Sequence, residues 1–280
     1  MRPIWLIEAG VYREEVVPLV EEIQRQGMMA EVTSYSSLKK GSAPLVNGQI
    51  ISKSDCVIGY GTYPFARQIQ LHHGWSPGAW CSDVNLNCAN YYAYFGRYLL
   101  NQNYVMLPGV EAIRQRDWLL SRCSVEGRVF ERPTSCQKIF VGRCMDEVVF
   151  EAGLSPTRYD PTTLVVVAAP KPIGREWRLI VVGNEVISGS QYADRGEKLI
   201  RADLPQEVRD FANAMLAEIR WRPDPVFMLD VCESNDRLWL VELNSFSSSW
   251  LYLCDYHAVV SATSELAEQI WLRQSAAISE

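Results

Sequence analysis

The residues best suited to chemistry lie in the stretch FMLDVCESNDRLWLVELNSF at positions 227–246. Two apolar runs, Val226–Cys232 and Leu238–Leu243, flank a short polar segment, and this pattern predicts a β-hairpin. A three-residue loop at Asn235–Arg237 is expected to join the two strands. Side chains alternate between the two faces of a strand, so each strand presents one polar and one apolar face.

Three oxygen-bearing side chains are predicted to share one face of this hairpin. The expected register sets Asp230 opposite Glu242, with Asn244 and Leu240 on the same face. Two carboxylates directly opposite each other repel, so such a face needs a cation to be stable. Mg²⁺ fits best, because it takes one or two carboxylates and completes its shell with waters and phosphates. The alternative is a hairpin whose polar face is merely solvated.

Composition and charge limit the class of protein. The chain has 280 residues, of which 48% are hydrophobic and 21% charged, and a formal net charge of −6, as in an ordinary globular protein. The negative charge argues against non-specific nucleic-acid binding. The sequence predicts neither a membrane span nor a signal peptide. The eight cysteines form no CxxC pair, so zinc is not expected and a reducing cytoplasm is the predicted location.

Alternating strand and helix patterns at the start of the chain predict a small parallel α/β lobe. The runs interpreted as its strands are Ile4–Ile7, Met28–Tyr35 and Cys56–Gly59. The segment 74–87 is rich in Gly, Pro, Ser and Asn and is interpreted as a boundary. We therefore expect a lobe at residues 1–80 and a second unit at residues 81–280.

The middle of the chain contains a candidate phosphate site. Two strand-like runs, Arg128–Pro133 and Lys138–Cys144, are joined by the polar loop Thr134–Gln137. They offer Arg132 and Lys138 on either side of a turn of small residues, where charge-assisted hydrogen bonds can hold phosphates. The loop has no glycine that would let its backbone close around a phosphate. A solvated charged surface is the alternative.

Two further runs are predicted to be strands of the same unit. Leu164–Ala168 is wholly apolar and leads into the proline-containing connector Ala169–Pro172. Arg175–Val182 alternates, with Glu176 and Arg178 on one face. An ion pair between these two side chains is an equally good interpretation of that spacing.

In this order the elements resemble the ATP-grasp superfamily. Its enzymes hold ATP between two α+β subdomains, behind an N-terminal α/β lobe that helps to bind the substrate. Asp230 followed by Glu242-Leu243-Asn244 is similar to the family's magnesium pattern on its late hairpin. Lys138 stands where the family has a lysine for the phosphates, and Arg132 stands where many members have their first lysine.

The resemblance also implies roles for the two later strands. Val167, Ala169 and Lys171 fall on the strand and hinge that meet the adenine edge through backbone groups. Glu176 falls where an acid meets the ribose in some members. Met228 occupies a position where some carboxylate–amine ligases carry an arginine for the acyl phosphate, and Arg178 is the candidate to replace it.

The resemblance therefore implies a complete fold, cofactor set and reaction. The fold is an ATP-grasp fold behind a small parallel α/β lobe, with the nucleotide between subdomains at about 104–170 and 171–280. The cofactors are ATP and Mg²⁺, with Mn²⁺ as an alternative ion. The implied reaction phosphorylates a carboxylate of a small molecule or peptide, joins the acyl phosphate to an amine, and releases ADP and phosphate. Lys138 and Arg178 are the candidate catalytic residues.

Two other classes of function stay open from the sequence. The arginine-rich region 114–143 is compatible with a kinase or an RNA-end-modifying enzyme, so nucleic acid is not excluded. A non-catalytic nucleotide-binding protein is the third possibility. The arginine at the first lysine position, the Glu176-x-Arg178 strand and the serine-rich segment after Asn244 are most similar to a divergent, poorly characterised clade.

Overall fold

The N-terminal lobe is built on a parallel four-stranded sheet. The computed structural model of the protein describes residues 2–40, 44–46, 48–137, 139–146, 150 and 160–278. The sheet has the order β2-β1-β5-β6. Its strands are β1 Ile4–Glu8, β2 Met29–Thr33, β5 Cys56–Tyr60 and β6 Ser76–Gly78, and a separate hairpin contains β3 Leu45–Val46 and β4 Gln49–Ile50. The predicted parallel α/β lobe is thus confirmed.

Helices cover this sheet because its strands are apolar on both faces. Every residue of β1 and β5 is buried, as is usual for parallel strands between two helical layers. The helices of the lobe are Arg13–Arg25, Tyr35–Lys39, Tyr63–Gln68 and the π-helical turn Ile69–His73.

A second, antiparallel sheet follows in the order β7-β10-β8-β9. Its strands are β7 Tyr104–Pro108, β8 Arg128–Pro133, β9 Arg143–Asp146 and β10 Leu164–Ala168. The helices of this part are Cys88–Phe95, Gly109–Arg114 and Arg116–Cys123, with a 3-10 turn at Gly96–Tyr98. The strand predicted at Lys138–Cys144 begins later, at Arg143. Gly142 precedes it, and a glycine weakens a strand; a Cβ at this position would lie 3.2 Å from the Phe130 ring.

The third sheet carries the predicted hairpin. Its order is β13-β12-β11-β14-β15, and all its pairs are antiparallel. Its strands are β11 Arg175–Val182, β12 Glu185–Asp194, β13 Glu197–Arg201, β14 Val226–Ser234 and β15 Arg237–Ser245. The helix Gln206–Glu218 packs on one face, and the N-terminal lobe with the last helix, Tyr256–Ile278, packs on the other. Within the part of the chain that the structure describes, no helix has the length and apolar character needed to cross a membrane.

Serine hydroxyls join the end of the hairpin to the N-terminal lobe. The Ser245 hydroxyl donates to the Trp80 carbonyl at 2.8 Å, and the Trp80 N–H donates to the Ser247 hydroxyl at 2.9 Å. The Gly61 N–H also donates to the Ser247 carbonyl at 2.9 Å. The serine-rich segment after β15 therefore connects the lobe to the rest of the molecule.

Glu15 makes the second connection between the lobe and this segment. Its side chain is buried on the helix Arg13–Arg25 and accepts hydrogen bonds from Leu251 N–H at 3.1 Å and Tyr252 N–H at 2.7 Å. The Tyr60 hydroxyl donates to the same carboxylate at 2.9 Å. Burial raises the pKa of Glu15, and these hydrogen bonds oppose that shift by favouring the ionised form. One side chain thus satisfies three buried donors.

We expect Glu15→Ala to lower the free energy of unfolding by roughly 3 kcal/mol, because two buried N–H groups lose their acceptor. Chemical denaturation of the purified variant measures this change. Glu14→Ala is the matched control, because Glu14 is exposed on the same helix, and it should change stability by less than about 0.5 kcal/mol. Equal stability of the two variants would contradict the structural role of Glu15.

Candidate active site

The hairpin turn differs from the predicted three-residue loop. Ser234 pairs directly with Arg237, so the loop contains two residues, Asn235 and Asp236. Their φ angles of 50° and 58° are both left-handed, which is the backbone of the type I′ turns that favour Asn and Asp. The predicted loop at Asn235–Arg237 is therefore wrong by one residue.

A β-bulge restores the register that this shorter turn would have shifted. Val231 pairs with Leu240, but Asp230 pairs with Glu242, so Val241 is the extra residue. The predicted opposition of Asp230 and Glu242 is confirmed. The predicted position of Leu240 on their face is wrong, because the bulge moves Leu240 into the core on the opposite face.

Asp230 is buried and held by an arginine on the neighbouring strand. Arg178 on β11 lies directly opposite Asp230 on β14. Its Nε donates to Oδ1 at 2.9 Å and its Nη2 to Oδ2 at 2.7 Å, with the two residues 5% and 1% exposed. This bidentate geometry is the strongest that an arginine and a carboxylate adopt. The alternative pairing of Arg178 with Glu176 is not formed.

Aromatic rings enclose the Arg178 guanidinium. Tyr192 on β12 and Tyr252 after the hairpin stack on each other with ring centres 5.5 Å apart. The guanidinium carbon lies 5.7 Å from the Tyr192 ring centre and 5.3 Å from that of Tyr252, a favourable placement for a cation. Nη1 of Arg178 donates to the Trp250 carbonyl at 3.3 Å. These aromatic residues belong to no motif that would indicate this role from the sequence.

Asn244 bridges the two carboxylates of the hairpin. Its amide nitrogen donates to Asp230 Oδ2 at 3.0 Å and to Glu242 Oε1 at 2.8 Å. Glu242 also forms a salt bridge with Arg132 on β8, with 2.8 Å between Oε2 and Nη2. Asp230, Glu242 and Asn244 therefore lie in contact with one another, as predicted, and Arg132 contacts Glu242. The orientation differs from the prediction, because the amide nitrogen of Asn244, rather than its oxygen, faces the carboxylates.

Glu176 lies on the same strand as Arg178, two residues before it. The Tyr192 hydroxyl donates to Glu176 Oε2 at 2.8 Å. Burial raises the pKa of Glu176, the Tyr192 hydrogen bond opposes this, and the charges of Asp230 and Glu242 raise it further. Asp230 and Glu242 therefore lie close enough to Glu176 to favour its protonated form.

A cavity of about 190 Å³ separates the second sheet from the third. Phe130 and Arg132 of β8, Lys171 of the connector and Val241 of β15 line it. Of the residues predicted to meet adenine, Lys171 lies at this cavity and Ala169 precedes it, with its carbonyl 3.4 Å from Lys171 Nζ. Val167 is fully buried within β10, between β7 and β8. Lys138 lies outside the described residues.

The arrangement of these parts is that of an ATP-grasp fold. Two antiparallel sheets face a cavity behind a parallel lobe, and a late hairpin carries two acids and an amide. The sequence matches the family described as ATP-grasp domain, R2K clade family 3, over residues 45–266. The chain belongs to this family. No curated protein matches the sequence.

Solved structures with this fold are similar over almost the whole chain. The ATP-grasp ligase PsnB complexed with minimal precursor has a TM-score of 0.58 at 15% identity, covering 94% of this chain and 98% of that one. D-cycloserine synthetase DcsG has a TM-score of 0.62 at 15% identity, covering 96% and 99%. D-alanine–D-alanine ligase from Bacillus anthracis has a TM-score of 0.54 at 12% identity, covering 98% of each chain. The predicted ATP-grasp fold is confirmed.

We expect Arg178→Met to lower the free energy of unfolding by about 3–5 kcal/mol, because it removes the bidentate partner of the buried Asp230 carboxylate. The double variant Arg178→Met, Asp230→Leu removes both charges and should lose less stability than the single variant. Urea denaturation of the three proteins tests this. A double variant no more stable than Arg178→Met would show that the pair does not act as a unit.

Proposed function

We propose that this protein is an ATP- and Mg²⁺-dependent ligase that joins a carboxylate to an amine through an acyl phosphate. The observation that carries the proposal is the joint placement of Asp230, Glu242 and Asn244 with Arg178 and Arg132 on one face. In an ATP-grasp protein, this face lies where the phosphates of the nucleotide are expected. The similar structures of peptide and amino-acid ligases support the same class of reaction.

The oxygen-bearing side chains of Asp230, Glu242 and Asn244 are of the type that binds Mg²⁺. Asp230 and Glu242 are opposed on neighbouring strands and both lie within 3.0 Å of Asn244. Mg²⁺ takes one or two carboxylates and keeps waters and substrate phosphates as its other ligands. Rotation of the Asn244 amide by 180° would present its oxygen instead of its nitrogen. When bound, the ion offsets the charge of the β- and γ-phosphates.

The protein's own groups position the reactants and neutralise charge. Arg132 and Lys138 hold the phosphates through charge-assisted hydrogen bonds. Arg178 has five N–H donors, and three of them serve Asp230 and the Trp250 carbonyl. The other two can donate to the phosphoryl group as it is transferred. Because Asp230 and the aromatic rings fix its plane, Arg178 needs little reorganisation to do so.

The arginine-rich region does not favour a nucleic-acid substrate. Arg114 pairs with Glu111 at 2.7 Å, Arg116 with Asp117 at 3.2 Å, and Arg143 lies 3.7 Å from Glu131. Each of these three described arginines is balanced by a nearby acid, which weakens the case for a basic stripe that would bind a backbone of phosphates.

The reaction is tested by measuring ADP release with a panel of amino acids and peptides, in the presence of Mg²⁺ or Mn²⁺. A ligase releases ADP in step with amide formation, and added hydroxylamine traps the activated carboxylate as a hydroxamate. Release of AMP, or a stable phosphorylated product with no amide, would overturn the ligase proposal while leaving ATP binding intact.

We expect Glu242→Gln to reduce ADP release by at least about a hundredfold, because a metal-bound phosphate loses several kcal/mol of charge stabilisation. The fold should be retained, since the amide keeps the shape of the side chain. Asp236→Asn, in the exposed turn of the hairpin, is the control and should release ADP at the wild-type rate. Wild-type turnover by Glu242→Gln would show that the metal assignment is wrong.

Lys138→Ala should weaken the binding of ATP more than that of adenosine, because it removes a charge-assisted contact to phosphate. Isothermal calorimetry with both ligands measures the difference. Lys53→Ala, an exposed lysine of the N-terminal lobe, serves as the control and should bind both as the wild type does. Equal losses for ATP and adenosine in Lys138→Ala would place Lys138 away from the phosphates.

A further inference from the structure

A second, smaller cavity adjoins the cavity between the second and third sheets. It has a volume of about 100 Å³ and shares Leu100 and Lys171 with the larger cavity of about 190 Å³. We call it the polar extension, because its other lining side chains can form hydrogen bonds: Gln102, Asn103, Ser234, Asn235 and Trp239. No acid of the described ranges belongs to this lining. The polar extension therefore offers hydrogen bonds and the positive charge of Lys171.

The Ser234 hydroxyl is buried beside the polar extension without a structural partner. Ser234 is 4% exposed, and its Oγ makes no hydrogen bond within the part of the chain that the structure describes. Asp230, Cys232 and Ser234 alternate along β14, so their side chains share the face that meets the second sheet. Burying a hydroxyl without a hydrogen bond is unfavourable. A ligand group that formed a hydrogen bond with Oγ would remove this penalty.

Lys171 brings spare donors to the same place. Its Nζ lies 3.4 Å from the Ala169 carbonyl, which is longer than a strong hydrogen bond. It forms no ion pair with an acid in the described ranges. An ammonium group has three N–H donors, so Lys171 can still donate to a ligand. The indole N–H of Trp239, by contrast, is already used, because it donates to the Ser234 carbonyl at 3.1 Å.

The two cavities follow the order of the parts of a nucleotide. Arg132, which is proposed to hold phosphates, lines the larger cavity. Phe130 and Val241 line the same cavity and supply apolar walls for a flat base. Lys171 borders both cavities, and Ser234 borders the polar extension. The phosphates and the outer edge of the base are opposite ends of a nucleotide. A nucleotide with its phosphates at Arg132 therefore directs the outer edge of its base towards Ser234.

The groups with spare hydrogen bonds complement the edge of adenine. Adenine presents a 6-amino group, which donates, beside ring nitrogens, which accept. The Ser234 hydroxyl can accept from the amino group, and the Lys171 ammonium can donate to a ring nitrogen. A purine that lacks the 6-amino group would leave Ser234 without its partner and would keep the contact with Lys171.

We propose that Ser234 and Lys171 determine nucleotide specificity by binding the outer edge of the base in the polar extension. The Ser234 hydroxyl accepts a hydrogen bond from the 6-amino group of adenine, and the Lys171 ammonium donates to a ring nitrogen. The inference rests on the proposed ATP-dependent function, because it names the side chains that recognise the base of that nucleotide.

Calorimetry with ATP and with purine riboside 5′-triphosphate, which carries hydrogen in place of the 6-amino group, tests the role of Ser234. Ser234→Ala should weaken ATP by about fivefold and leave the binding of purine riboside 5′-triphosphate unchanged. Its melting temperature should not fall, because the hydroxyl has no partner among the described residues. Ser261→Ala, at an exposed serine of the last helix, is the control and should bind both nucleotides as the wild type does. A merely structural role of Ser234 predicts equal changes for the two nucleotides.

Lys171→Met tests whether the ammonium acts on the base or on the phosphates. The proposal predicts that ATP and adenosine are weakened by the same factor of about fivefold, because both contain the base. Lys53→Met, at an exposed lysine of the N-terminal lobe, is the control and should bind both ligands as the wild type does. A much larger loss for ATP than for adenosine would assign Lys171 to the phosphates and overturn its role in base recognition.

The proposal is overturned if Ser234→Ala weakens ATP and purine riboside 5′-triphosphate equally, or weakens neither. Its failure is distinguishable from failure of the ligase function, because nucleotide binding is measured without a carboxylate or an amine. Hydroxamate formation by the wild type, combined with a Ser234→Ala variant that does not distinguish the two nucleotides, would refute only the base recognition. Selective weakening of ATP by Ser234→Ala without any hydroxamate in the wild type would refute only the ligase reaction. A wild type that binds neither nucleotide would overturn both.

Discussion

The buried ion pair between Arg178 and Asp230 is the interaction on which the candidate site depends. Removing two charges from water costs several kcal/mol per ion, and only good geometry with additional hydrogen bonds offsets that cost. Here two short hydrogen bonds join the pair, and the same guanidinium binds the Trp250 carbonyl. One side chain thus fixes both the acid on the hairpin and the backbone of the segment that follows it.

The pair also determines the charge of the surrounding face. Glu176, Asp230 and Glu242 place three carboxylates there, against the two guanidiniums of Arg132 and Arg178. The raised pKa of Glu176 reflects the burial of this face and the repulsion by its neighbours. Among the described residues, acidic and basic side chains therefore alternate closely on this face. The enclosing rings of Tyr192 and Tyr252 strengthen these electrostatic interactions by excluding water.

The sequence predicts local pattern better than it predicts which strands become neighbours. Alternation was enough to place Asp230, Glu242 and Asn244 on one face, although the turn was predicted one residue too long. The predicted pairing of Asp230 with Glu242 is still correct, because the bulge at Val241 adds the residue that the turn lacks. Nothing in the hairpin's alternation marks that bulge. The partner of Arg178 depends on β11 lying beside β14, and this pairing of strands 52 residues apart is set by the packing of the whole sheet.

The serine-rich segment shows how an irregular stretch can hold two parts of a protein together. A backbone that joins no sheet must find other partners for its buried N–H and C=O groups. Side chains supply them here: Glu15 and Tyr60 from the N-terminal lobe, and Arg178 and Ser190 from the third sheet. Because partners from both sides bind the same few residues, a shift of the lobe relative to the hairpin would break several buried hydrogen bonds at once. The hydrogen bonds of Glu15 and Tyr60 therefore fix the position of the N-terminal lobe relative to Arg178 and the hairpin.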